Sequence, residues 1–420
     1  MVMARKTYLH VGAPKTGSTF LQRIAWANRE LLGSRGVFMP GRAPVDHFRA
    51  GYDLRGFTTD PDNARVTVEG AWNTMAATIL DRAEEIALVS DERLAACTEA
   101  EVERAVASLA PDEVHVVYVT RDPAGLLSAE WQEHVKHGDQ RAFDAWLDDT
   151  LNPKGHEWYW KVHGVGDVLR RWGSVVPSER LHLLTLPPRG SDPELLWRRF
   201  CSLLGISPEG VDTDVRANVS LGVEGAELLR QVNEALPVEF PRWHHIGVTR
   251  NVLAHRILAE RAEKTPIVVP ERLAAQVEDY TERLVAEITD SGCDVVGGLD
   301  ELATPVGGDG IPEAPDVTAA AIDAISGLLV HIGGLRDDLR DSRGQLRTAR
   351  RELAEEVRRG KAEAPITVRT RQLLHEHRDL PPAERMKRCV VELRDRSRVL
   401  RGMLTRYRTL RRYSGSVRGR

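Results

Sequence analysis

Apolar positions along the chain alternate between two patterns. Short continuous apolar runs at residues 7–12 (TYLHVG), 86–90 (IALVS), 114–120 (VHVVYVT) and 181–186 (LHLLTL) read as buried strands, with a further short strand at 36–40. Between them, apolar residues recur at helical spacing. Phe20, Leu21, Ile24, Ala25 and Leu31 mark a helix over 18–32, and the spacing predicts helices over 71–85 and 99–109, helical patterns from 123 to about Trp172, and mostly helix from Pro193 to about Thr289. Strands that alternate with helices imply a parallel sheet covered on both faces. Ligands of such sheets bind beyond the carboxyl ends of the strands. Three polar clusters fall at predicted strand ends, namely 15–19, Asp91-Glu92 and 121–128, and the functional argument starts from that convergence.

The pattern changes after residue 300. A Gly-, Pro- and Asp-rich stretch at 301–316 reads as a linker. Residues 317–360 form a long helical pattern in which Leu335, Leu339, Leu346 and Leu353 suggest a partial coiled-coil seam, and 361–420 reads as basic helices broken at Pro381-Pro382. The apolar part of this helix, 319–335, is interrupted by Asp323, Ser326 and His331 and is expected to be too short and too polar to span a bilayer. The expected organisation is an α/β domain at 1–300, the linker, the helical segment and the basic tail. The helical segment is a candidate for homo-oligomerisation.

Composition adds less. With 42% hydrophobic and 29% charged residues, the 420-residue chain is globular in type. The net charge of −4 hides an asymmetry, because 361–420 carries +11 and the first 360 residues carry −15. The tail therefore suits an anionic lipid surface or a polyanion, although it matches no nucleic-acid-binding motif. Cys97, Cys201, Cys293 and Cys389 are too scattered for a disulfide framework or a zinc site. The N-terminus lacks a signal-peptide apolar core, so a cytoplasmic protein, at most peripheral to a membrane, is expected.

The first polar cluster carries the sharpest chemistry. A glycine-containing loop that feeds a helix N-terminus presents unpaired amides and the positive end of a dipole to an anion. Gly12 and Gly17 have the spacing of the nucleotide-triphosphatase loop, but Ser18 stands where that loop has lysine, and Lys15 lies two residues before Gly17. ATP or GTP hydrolysis is disfavoured on that ground. The run YLHVGAPKTGSTFLQ instead resembles the 5′-phosphosulfate loop of sulfotransferases that use 3′-phosphoadenosine-5′-phosphosulfate (PAPS), in the form found in heparan-type and many bacterial members. The resemblance implies a P-loop-like fold, PAPS as donor and 3′-phosphoadenosine-5′-phosphate (PAP) as product. It assigns Lys15, Thr16, Gly17, Ser18 and Thr19 to the phosphosulfate.

The same resemblance gives the other two clusters their roles. Arg121 at a strand end and Ser128 in the following helix match the element that holds the 3′-phosphate, where the guanidinium fork suits a phosphate. Their separation is one residue shorter than is usual in that family. Leu88-Val-Ser-Asp-Glu92-Arg-Leu94 resembles the segment that supplies a carboxylate base, with Glu92 as the base and Asp91 as the runner-up; Glu92 otherwise caps the next helix or pairs with Arg93. His134 and His137 are alternative bases that read more readily as a solvated helix face, and His10 reads as a core histidine. The stretch 216–222 (RANVSLG) resembles a loop of bacterial relatives and equally fits a helix cap at Ser220. His156, Trp158, Tyr159 and Trp160 fit either an acceptor-site lining or core packing. No metal is implied. A carbohydrate, glycolipid or small-molecule acceptor, taking the sulfuryl group on a hydroxyl or amine, follows from the resemblance. A nucleotide kinase and a non-catalytic anion-binding scaffold are the competing readings.

Overall fold

The computed structural model describes residues 5–61, 63–152, 155–215, 220–303, 308–312, 315–358, 373–378, 384 and 388. In chain order the elements are β1 (Lys6–Gly12), α1 (Ser18–Ala27), α2 (Arg29–Ser34), β2 (Val37–Phe38) and α3 (Pro44–Leu54). Then come β3 (Thr59–Asp60), β4 (Asn63–Thr67), α4 (Ala71–Leu80), β5 (Ile86–Ser90), α5 (Glu99–Ser108) and β6 (Glu113–Thr120). Helices α6 (Pro123–Lys136), α7 (Phe143–Leu151), α8 (Glu157–His163) and α9 (Val165–Gly173) lead to β7 (Leu181–Thr185). After it follow α10 (Leu195–Leu204), α11 (Gly222–Ala235), α12 (Arg242–His244), α13 (Ala274–Ser291), β8 (Asp294–Val296) and α14 (Thr318–Arg358).

Six strands form one sheet in the order β2-β5-β1-β6-β7-β8, and every neighbouring pair is parallel. This is the covered parallel sheet expected from the apolar runs. The strand interiors are inaccessible to water: all residues of β7 and all but the first of β1, β5 and β6 are buried. The chain leaves β1 for one side of the sheet and later returns to the other side with β6. The central trio β5-β1-β6 therefore contains the crevice where ligands of open parallel sheets sit.

Two cores flank the sheet. One gathers Trp72, Trp172, Leu94 and Tyr280 around β1, β5 and β6, and the other gathers Leu21, Ile24, Trp197 and Phe200 on the opposite face. Trp72, Trp131, Trp146, Trp172 and Trp197 are fully buried, and each removes on the order of 150–250 Å² from water. His10 is a core histidine, with Nδ1 2.7 Å from Ser90 Oγ, and burial pulls its pKa down to about 4.

The chain divides into two compact units, Met1–Ala324 and Ile325–Arg420. Part of the stretch read as a linker is bound into the first, since the Gly308 carbonyl accepts a hydrogen bond from the Glu271 amide. In the second unit α14 continues, with Ile325, Leu329, Ile332, Leu339 and Leu346 exposed along it. Contrary to the sequence expectation, Thr318–Glu355 contains a stretch of mean hydropathy 1.5 and is long and apolar enough to cross a membrane by length and composition. Asp323 and His331 do not lower the average enough to prevent it. Most of 361–420, including Cys389 and the Pro381-Pro382 break, lies outside the described residues.

Candidate active site

The three polar clusters meet at one edge of the sheet. Gly12 at the end of β1 pairs in register with Tyr118 of β6, and the Ala13 amide donates to the Val119 carbonyl at 3.0 Å. On the other side a β-carbon on Gly12 would lie 3.2 Å from the Glu92 carbonyl oxygen, so the segment after β5 presses directly on the loop. The loops after β5, β1 and β6 are thus neighbours.

The loop after β1 is shaped by positive φ angles at Gly12 (137°), Lys15 (58°) and Gly17 (97°). Glycine adopts these at no steric cost, whereas lysine does not, and a non-glycine residue held there stores on the order of 1 kcal/mol or more. A β-carbon on Gly17 would sit 2.5 Å from Leu196 Cδ2, so a side chain there has no room. Gly17 caps α1, and its carbonyl accepts from the Leu21 amide at 3.1 Å. The hydroxyls of Thr16 and Ser18 are both buried and both donate to the Ala13 carbonyl at 2.7 Å, which fixes the loop from within. Thr19 lies half-buried in the first turn of α1.

Lys15 emerges from this loop towards α6. Its Nζ is 2.8 Å from Glu133 Oε2, and the same carboxylate is 3.4 Å from Lys136 Nζ and 3.2 Å from His137 Nε2. Burial alone would lower the Lys15 pKa. The carboxylates of Glu133, Glu130 and Glu92 outweigh it and hold the ammonium above its usual range. Burial likewise works to raise the pKa of Glu133, but His137 and the two lysines keep this carboxyl well below the usual carboxylate range. One turn earlier, Glu130 Oε1 lies 3.1 Å from His163 Nε2, and the contact with that ring holds Glu130 ionised against its burial.

The sequence pattern points to neither Glu130 nor Glu133 and predicts a solvated face with His134 and His137, which holds for the exposed His137. The rest of the helix is largely buried: Glu130, Gln132 and Lys136 are inaccessible, and His134 is half-buried within 3.9 Å of both Glu130 and Asp139. The available signal was the i, i+3 spacing of Glu130, Glu133 and Lys136. It places three charges on one face, which is a costly arrangement unless they face partners.

The segment after β5 separates the two acidic neighbours. Asp91 is the residue that caps and pairs. Its Oδ1 accepts from the Arg93 amide at 3.2 Å and from the Arg93 guanidinium at 2.8 and 2.7 Å. Glu92 is thereby left without either task. Burial raises its pKa from the ordinary glutamate value to about 7; Lys15 works against the shift, while Asp91 and Glu130 add to it.

After β6, Arg121 lies against Asp122, with Nε and Nη2 at 3.2 and 3.0 Å from Oδ2. Asp122 in turn caps α6, accepting from the Gly125 amide at 2.5 Å. A β-carbon on Gly125 would meet Arg121 Nη2 and the Asp122 carboxylate, so the guanidinium lies directly over this helix start. The Ser128 hydroxyl, on the next turn, donates to the Ala124 carbonyl at 3.0 Å. Asp122→Ala is expected to cost about 1 kcal/mol, the usual loss for an N-cap carboxylate, and to lower the midpoint of thermal unfolding by a few degrees. An unchanged midpoint would show that the cap does not hold α6.

The remaining candidates are dispersed. In the 216–222 stretch, residues 216–219 lie outside the described residues. Ser220 donates to Gln132 Oε1 at 2.9 Å, which ties the start of α11 to α6, and its hydroxyl also accepts from the amide of Gly222, the first residue of α11, at 3.2 Å. His156 packs edge-on to His134 with ring centroids 4.5 Å apart, Tyr159 is buried, and Trp160 Nε1 donates to the Thr150 carbonyl at 2.9 Å. Trp158 is exposed. Among the described residues no group of three or more His, Cys, Asp or Glu residues could hold a metal ion.

No protein-family model matches the chain, and no curated protein matches it. Two solved structures are similar to it. One is a sulfotransferase from Alicyclobacillus acidocaldarius, at 19% identity and a TM-score of 0.35, covering 51% of this chain and 87% of that one. The other is the sulfotransferase domain from the curacin biosynthetic pathway, at 13% identity and a TM-score of 0.30, covering 61% of this chain and 99% of that one.

Proposed function

We propose that the protein transfers a sulfuryl group from PAPS to a hydroxyl or amine of an acceptor, by in-line displacement at the edge formed by the loops after β5, β1 and β6. The observation that supports this most directly is the convergence of Lys15, Glu92 and the Arg121 loop on three adjacent parallel strands. A phosphosulfate needs cations and amide donors. The left-handed loop and the start of α1 offer amides, Lys15 offers an ammonium, and Arg121 offers a guanidinium for a second phosphate.

In this proposal the acceptor oxygen attacks sulfur while the bond from sulfur to the bridging phosphate oxygen breaks. Charge then grows on the departing oxygen, where Lys15 stands to stabilise it. Glu92 takes the acceptor proton; a carboxyl with a pKa near 7 is matched to that task at neutral pH. Thr16, Gly17, Ser18 and Thr19 shape the phosphosulfate end of the site, and Arg121 with Ser128 the 3′-phosphate end. Both cations rest on carboxylates of the α6 segment, Lys15 on Glu133 and Arg121 on Asp122. Donor anions would replace these contacts one for one.

Titration calorimetry with PAP is the first test, followed by transfer of labelled sulfate from PAPS across phenolic, amine and carbohydrate acceptors. Micromolar PAP binding that Arg121→Ala weakens roughly tenfold, the worth of one charge-assisted hydrogen bond, is expected. No heat with PAP would remove the proposal. Magnesium-dependent ATP turnover would restore the kinase alternative, and PAP binding with no transfer to any acceptor would favour the scaffold.

A further inference from the structure

The C-terminal end of α3 builds a second recognition surface beside the site. Gly56, at φ 80°, closes the helix. Its amide donates to the Asp53 carbonyl, and the Phe57 amide reaches back to the Tyr52 carbonyl at 3.0 Å. The Tyr52 and Phe57 rings meet edge-on at 5.2 Å, the apolar contact that accompanies this kind of helix end. The turn is therefore fixed by backbone and side chain together. Arg55 sits inside it, with its guanidinium 5.5 Å from the centre of the Phe57 ring and 5.0 Å from that of Trp158.

Three features set Arg55 apart from the arginines around it. Arg93, which lies over the Phe48 and Tyr52 rings, is neutralised by Asp91, and Arg49 pairs with Asp46. Among the described residues no ion pair involves Arg55. Its two aromatic neighbours are exposed, Trp158 by 43% and Phe57 by 37%, so apolar ring faces stand open to solvent around an uncompensated cation. The surface also adjoins the proposed chemistry from two directions. Arg93 of the cluster follows Glu92 directly in sequence. Helix α8 carries Trp158 near its start and, about 7.5 Å along its axis, His163, which touches Glu130.

We propose that Arg55, Phe57 and Trp158 form an anchoring subsite for the acceptor, which takes a ring bearing an anionic group such as a carboxylate or phosphate. The anion accepts hydrogen bonds from the open edge of the guanidinium, and the ring packs on the exposed face of Trp158. As an acceptor site this rests on the sulfotransferase reading; as a binding site it stands apart from it.

The test uses a matched pair, 4-hydroxybenzoate and 4-hydroxybenzamide, which differ in the charge of one substituent. Binding to the full chain is measured by calorimetry with and without PAP. The expected result is a preference for the benzoate of about fivefold or more, a difference of about 1 kcal/mol. Arg55→Gln should bring the two within twofold, and Trp158→Leu should weaken both while keeping their ratio. PAP affinity should be unchanged in both variants, because neither residue belongs to the donor site. Equal affinities in the wild type, a preference that survives Arg55→Gln, or no binding of either compound at millimolar concentration would overturn the subsite. Benzoate binding in a protein that ignores PAP would keep the subsite and sink the sulfotransferase reading instead.

Discussion

Lys15→Ala is expected to lower sulfuryl transfer on the order of 10²–10³-fold, the usual cost of removing one preorganised donor from a developing charge. Affinity for PAP should fall by much less, roughly tenfold at most, because the loop amides and Arg121 are untouched. The split matters because catalysis comes only from contacts that strengthen in the transition state. Lys15 fits that role by its surroundings. It occupies a left-handed backbone position that lysine does not favour, and it faces three carboxylates, those of Glu133, Glu130 and Glu92. The fold should tolerate the change. Glu133 keeps Lys136 at 3.4 Å and His137 at 3.2 Å, so its charge is not stranded. Single-turnover transfer, PAP calorimetry and a thermal melt on the same variant separate the outcomes. Equal losses in rate and PAP affinity would make Lys15 a ground-state binding residue only. A full rate with alanine in place would remove it from the mechanism.

What could be read in the chain, and what could not, follows from how each element is buried. The strands 86–90 and 181–185 announce themselves because a parallel strand covered on both faces is apolar at nearly every position. The strand-end clusters follow automatically, since the first polar residues after such a run must lie at the sheet edge. Other elements give no such signal. β8 is three residues long, half-exposed and followed by two glycines, while the β3–β4 hairpin is largely polar and exposed, so neither shows a period. Glu130 and Glu133 escaped for the opposite reason. A helix reading Glu-Trp-Gln-Glu-His-Val-Lys-His resembles a solvated surface, and only tertiary structure shows that its charges face Lys15 and His163. Asp91 and Glu92 are adjacent and chemically alike. Their different fates are set by Arg93, whose guanidinium both lies over Phe48 and Tyr52 and binds Asp91, and pairwise sequence patterns do not encode that geometry.

Glu92→Gln is expected to reduce kcat/KM by 10²–10⁴-fold and, in the same protein, to raise stability at alkaline pH. Both effects have one origin. Burial lifts the Glu92 pKa from 4.5 to about 7, so the folded protein binds a proton that the unfolded chain has released anywhere between those values. Stability from this group is therefore fully present below pH 4.5 and is lost as pH rises to about 7. Above that the desolvated charge works against the folded state. Glutamine keeps the shape and never ionises, so denaturant unfolding at pH 8 should show the variant more stable than the wild type, and the difference should vanish near pH 4. Activity runs the other way. A base must be deprotonated, so wild-type kcat/KM should climb through pH 7 and level off above it. The glutamine variant should lose this limb. The site then works in the ionised form that the fold disfavours, as expected where a buried carboxylate is retained for chemistry rather than packing. A variant no more stable at pH 8, or an acid limb that survives the substitution, would transfer the base role to another group. Glu130 also faces Lys15, but its pKa is held below the ordinary glutamate value, so as the base it would give a limb below pH 4.5 rather than near 7, and Glu130→Gln measured over the same pH range separates the two.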